Sequence, residues 1–86
     1  MLGVQYKPSF IKTVKHFDGD LFDEVIEKIE LLKNEENHSM LKVHKLHGPL
    51  TGCYSFSVNY QTRIVFKYIS NKEVVLLNIG DHDIYK

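Results

Sequence analysis

With one cysteine, Cys53, in 86 residues, the chain cannot form an internal disulfide, and a secreted disulfide scaffold is excluded. It has no apolar run near the roughly 20 residues a membrane helix needs. Met1 to Tyr6 is too short, and too quickly followed by Lys7, to be the apolar region of a signal peptide. The expectation is a soluble cytoplasmic protein with no membrane contact. Excess charge is also missing: 11 Lys and Arg balance 11 Asp and Glu, which argues against strong non-specific nucleic-acid binding. There is no repeat, linker or low-complexity stretch. There is no glycine-rich phosphate loop either, since Gly48-Pro49-Leu50-Thr51-Gly52 reads as a pair of turns. His38, His44 and His47 have no cysteine partner, and Lys45 would repel a cation, so neither a metal nor another cofactor is expected.

What is present points to one folded domain, residues 1–86. With 43% hydrophobic residues, it can bury roughly 60–65% of its unfolded surface. The balanced charges are unevenly spread. Residues 1–36 hold five lysines against eight acids, a net −3, and residues 37–86 a net +3. The basic second half leaves room for a local polyanion site.

Val4 to Tyr6 is short and β-prone, and Pro8 ends it. Ser9 is placed to cap a helix bearing Phe10, Ile11, Val14 and Phe17 at helical spacing. Asp18-Gly19-Asp20 breaks that helix, and Asp20 can cap a second. The second helix turns Phe22, Val25, Ile26, Ile29 and Leu32 to one face and Asp23, Glu24, Glu27, Lys28 and Glu30 to solvent. Asn34 to Pro49 is polar and irregular.

The period then changes to two. Tyr54, Phe56, Val58 and Tyr60 alternate with Cys53, Ser55, Ser57 and Asn59. Asn59 to Thr62 turns the chain into a second strand, Arg63 to Ile69. Ser70-Asn71-Lys72 turns it into a third, Glu73 to Ile79, which is apolar on both faces and so expected at the centre. This order predicts an α+β domain: a small antiparallel β-sheet packed against an N-terminal two-helix hairpin. The first strand is expected to join the same sheet, and the face away from the helices to be partly open near Arg63.

Chemistry concentrates in Asn78 to Tyr85. The apolar run stops at Gly80, and His82 and Tyr85 follow beside Asp81 and Asp83. Histidine titrates near neutrality, and flanking carboxylates favour its imidazolium, which suits a general acid. A short turn between antiparallel strands returns the end of the third strand to the start of the second. Arg63 therefore converges with His82 and Tyr85. Arginine offers a fork of donors for a phosphate, and tyrosine can stack on a base or assist proton transfer. The set suits RNA transesterification, with Lys42, Lys45 and Lys67 as phosphate contacts. Each residue also has a plainer reading: Arg63 as a solvated strand end, His82 as part of a polar tail, Tyr85 as a plug closing the core. Cys53 reads as a small packed side chain.

The stretches Lys45 to Phe56, Arg63-Ile64-Val65-Phe66 and Val75 to Tyr85, in that order behind a helical hairpin, resemble the RelE/ParE superfamily of toxin–antitoxin toxins over nearly the whole chain. The resemblance is nearer to the histidine-bearing YafQ- and YoeB-like branches than to RelE itself. It implies a toxin that cuts mRNA on the ribosome as a metal-independent endoribonuclease, and a cognate antitoxin that binds it in a hetero-oligomer. It further implies that Arg63 stabilises the phosphate, His82 serves as acid or base and Tyr85 is the C-terminal tyrosine. Ser55 and Ser57 stand where the RelE subgroup carries lysines, which shifts proton transfer onto His82. The alternatives within the resemblance are a ParE-like toxin that binds DNA gyrase without nuclease activity, and an inactive relative that binds an antitoxin.

Overall fold

Pro8 has a preset φ and no N–H to satisfy, so it opens the first helix, α1 (Pro8–Val14), and the expected cap Ser9 falls inside the first turn. The second, α2 (Gly19–Leu32), is capped by Asp18, whose side chain accepts the Leu21 N–H at 2.9 Å. The cap therefore sits two residues before Asp20. These elements belong to a computed structural model that describes residues 1–85, the side chain of His82 excepted.

Five strands make one sheet: β1 (Gly3–Tyr6), β2 (His44–Lys45), β3 (Tyr54–Ser57), β4 (Arg63–Ser70) and β5 (Glu73–Gly80), in the order β1-β5-β4-β3-β2. The run β2 to β5 is antiparallel, as the meander required, while β1 joins β5 in parallel. The sheet is thus mixed rather than wholly antiparallel. The middle strand is β4, yet β5 is flanked by β1 and β4, which explains its apolar run. The short β2 comes out of the stretch read as irregular; two residues are too few for a periodic signal.

The helices cover one sheet face. Val25, Leu32, Phe56, Ile64, Phe66, Val74 and Leu76 are fully buried between the layers. The face of α2 is narrower than its pattern suggests, because Phe22 and Ile26 remain exposed. With Tyr6, Phe10, Ile11 and Val14 they line an apolar groove of about 310 Å³ between the helices. Tyr60, grouped by alternation with the buried residues, lies outside because β3 ends at Ser57. At the core's edge, burial pushes the Tyr68 phenol above its ordinary value of 10.0, with Glu35 adding to the effect. Among the described residues no helix is long and apolar enough to cross a membrane.

The other sheet face is less open than expected. A 3₁₀ turn, His82–Tyr85, follows β5. Its Tyr85 hydroxyl shares a 2.5 Å hydrogen bond with Ser55 Oγ, and Ser55 is wholly buried. Gly80 is what lets this turn fold back: a Cβ there would run into the Ile84 Cγ2 methyl. Gly80→Ala is therefore expected to lose about 1–3 kcal/mol, the usual cost of overpacking. A urea melt would show it, with the largest amide shift changes at residues 80–85. A variant as stable as the parent, with those shifts unmoved, would contradict this packing.

Candidate functional site: a cleft at the β4–β5 end

Residues on one face of a strand alternate, so Arg63, Val65 and Lys67 project from β4 on the side away from the helices. The register places Gly80 directly opposite Arg63, so the chain that continues into Asp81 and Asp83 leaves β5 beside the guanidinium. Tyr60, Gln61, Arg63, Asp81 and Asp83 line an open cleft of about 660 Å³. Arg63 is half-buried and held: its Nη1 donates to the Asn59 carbonyl at 2.6 Å and the Thr62 carbonyl at 3.2 Å. The clamp fixes the plane of the guanidinium, as recognition of a planar or tetrahedral oxyanion requires. Among its described side chains the cleft is electrostatically mixed, Arg63 with the carboxylates of Asp81 and Asp83.

The sequence-predicted residues are not all gathered there. Arg63 lies in the cleft. His82 stands in the turn between Asp81 and Asp83, and its side chain lies outside the described set. Tyr85 is half-buried and tied to Ser55, which supports the turn against the sheet. Lys67 shares Arg63's face but lies roughly 13 Å along the strand, at about 3.3 Å per residue. Lys42 occupies the turn before β2 with a φ of 59°. Lys45 pairs with Tyr54, whose ring stacks on Phe66, so the register turns Lys45 to the helix side. It lines a separate hollow with His47 and Cys53.

The register also brings in a residue that sequence reasoning set aside. His44 pairs with Ser55, and Ser55 with Val65, so His44 shares the face of Ser57 and Arg63. Two strand spacings of about 4.8 Å and two residues along the strand put its Cα roughly 12 Å from that of Arg63. Two side chains can span that gap around one phosphodiester. His44 Nδ1 lies 2.8 Å from the Lys42 carbonyl. A carbonyl only accepts, so in the neutral ring Nδ1 carries the proton and Nε2 is left bare. The left-handed backbone at Lys42 turns that carbonyl towards the ring. A two-residue strand in a polar stretch left no pattern by which its face could be read. Among the described residues, no three His, Cys, Asp or Glu side chains are grouped to hold a metal ion.

No protein-family model and no curated sequence matches the chain. Solved structures do. The YoeB–YefM complex from Staphylococcus aureus contains a chain similar over 95% of this one and 98% of its own length, with TM-score 0.75 and 20% identity. The archaeal RelE–RelB complex from Pyrococcus horikoshii OT3 matches over 93% of each chain, with TM-score 0.74 and 18% identity. YafQ from E. coli strain BL21(DE3) matches over 98% and 97%, with TM-score 0.69 and 17% identity. At these identities the likeness concerns the fold, and over 93–98% of its length the chain has the fold shared by these YoeB, RelE and YafQ structures.

Proposed function

We propose that the protein is the toxin of a type II toxin–antitoxin pair in the RelE/ParE superfamily, a cytoplasmic endoribonuclease that cleaves ribosome-bound mRNA. The observation that carries this reading is the register that sets Arg63 opposite Gly80 and His44 on the same sheet face. In the reaction, His44 Nε2 takes the proton from a ribose 2′-OH. The O2′–P bond forms while the P–O5′ bond breaks. Arg63 stabilises the charge on the equatorial oxygens, and the His82 imidazolium protonates the departing 5′-oxygen. The products are a 2′,3′-cyclic phosphate and a 5′-hydroxyl. Side chains supply every proton in this scheme, so it runs without a metal. Tyr85 holds the turn that carries His82, and Lys42 and Lys67 meet flanking phosphates.

The partner in this reading is a cognate antitoxin, as the compared Staphylococcus and Pyrococcus proteins were solved in complex with YefM and RelB. The exposed apolar groove between α1 and α2 offers surface for such a partner.

Induced expression is expected to arrest growth and cut transcripts within translated regions, and the Arg63→Ala variant to do neither. Intact transcripts with wild-type protein would refute the nuclease. Growth arrest through lost DNA supercoiling, indifferent to Arg63, would point to the gyrase-binding alternative.

A further inference from the structure

Tyr60 is 90% exposed at the tip of the β3–β4 loop, on the rim of the Arg63 cleft. A loop that carried it by accident would be slack, and this one is tied throughout. Asn59 Oδ1 accepts the N–H groups of Gln61 at 2.9 Å and Thr62 at 2.8 Å. Asn59 Nδ2 donates to Glu24 Oε1 on α2 at 2.9 Å. The Val58 N–H donates to the Thr62 carbonyl at 2.9 Å. The Arg63 guanidinium clamps the same loop through the Asn59 and Thr62 carbonyls. The backbone on either side of Tyr60 and the Arg63 cation are therefore braced as one unit, with the Tyr60 ring turned to solvent.

The charge of the cleft narrows what that unit can hold. Among the described side chains, one arginine beside Asp81 and Asp83 does not suit a run of phosphates. It suits a single phosphate with an uncharged planar group next to it. Stacking on tyrosine needs no charge, and every nucleobase has a face to offer. Amide and carboxylate groups on the rim, from Gln61, Asp81 and Asp83, match the amino and imino edges of an unpaired base.

We infer that Tyr60 is a stacking platform for the nucleobase adjoining the phosphate held by Arg63, with Gln61 reading the base edge, so that the substrate strand must be unpaired at that nucleotide. This rests on the RNA-cleaving reading of the cleft and adds the subsite that positions the strand. Tyr60 touches no reacting atom.

The test uses a short single-stranded 2′-O-methyl oligoribonucleotide, which cannot be cleaved, and its copies with one abasic position each. Tyr60→Ala is expected to weaken binding about tenfold, the scale of one lost base–aromatic stack. Tyr60→Phe and Tyr60→Trp should stay within about twofold of the parent. One abasic position should cost the wild type a similar factor and cost Tyr60→Ala nothing more, as coupling of the two groups demands. Unchanged affinity in Tyr60→Ala, or penalties that simply multiply, would overturn the platform while leaving the nuclease reading intact. Loss of antitoxin binding with RNA binding unchanged would make Tyr60 a protein contact and overturn it too. A wild-type protein that neither binds single-stranded RNA nor cuts mRNA on translating ribosomes would bring down both readings together.

Discussion

Replacing Arg63 with alanine is expected to lower RNA cleavage by about 10²–10³-fold, the scale of losing one preorganised donor to a developing oxyanion. Arg63→Lys should recover little of it. A lysine ammonium carries the charge but not the fork, and it cannot span the Asn59 and Thr62 carbonyls while facing a phosphate. Both substitutions also take the guanidinium bond from the Asn59 carbonyl, while the Thr62 carbonyl keeps the Val58 N–H. A stability loss of about 1–2 kcal/mol should follow from the half-buried hydrogen bonds, visible as a lower urea midpoint. The two effects separate cleanly: cleavage is measured under conditions where each variant is folded, with product termini checked for the cyclic phosphate. Cleavage within threefold of wild type in Arg63→Ala would remove the centre of the proposed site.

A loss of about 10²–10⁴-fold is expected for His44→Ala, the range of a general base. The pH profile distinguishes this from a merely structural effect. With His44 as base and His82 as acid, kcat/KM should trace a bell. His44→Ala should abolish its rise on the acidic side, because no group there needs to lose a proton. His82→Ala should abolish its fall on the alkaline side. The coupled pair is read through these limbs of the profile, not as two separate site constants. Nitrogen-15 spectra give a readout independent of RNA: the neutral His44 ring should carry its proton on Nδ1, facing the Lys42 carbonyl. A ring protonated on Nε2, or a bell unchanged in His44→Ala, would assign the base elsewhere.

Much of the fold was legible because its signals are local. The apolar face of α2 has a period of 3.6, and Ile64, Phe66 and Tyr68 recur along β4 with a period of two. The Asn59 turn showed in its own side chain. Arg63 was legible for the same reason: antiparallel strands joined by a short turn must bring Gly80 back to it. Lys42 and Lys45 were chosen as cations in the right region, but charge carries no information about which sheet face a residue takes. A shift of one residue in β2 exchanges His44 for Lys45.

The sequence alone therefore determined the elements, the meander that opposes Arg63 to Gly80, and the tail as the place to look. Each depends on neighbours in the chain. The tertiary structure decided what depends on pairing between distant segments. It added β1 in parallel to β5, turned His44 towards the Arg63 face and Lys45 away from it, and tied Tyr85 to Ser55. It also left Tyr60 outside the core on a braced loop. A residue's type is written in the chain, but its face is set by the register of strands far apart in sequence, and here that register puts His44 on the Arg63 face and Lys45 on the other.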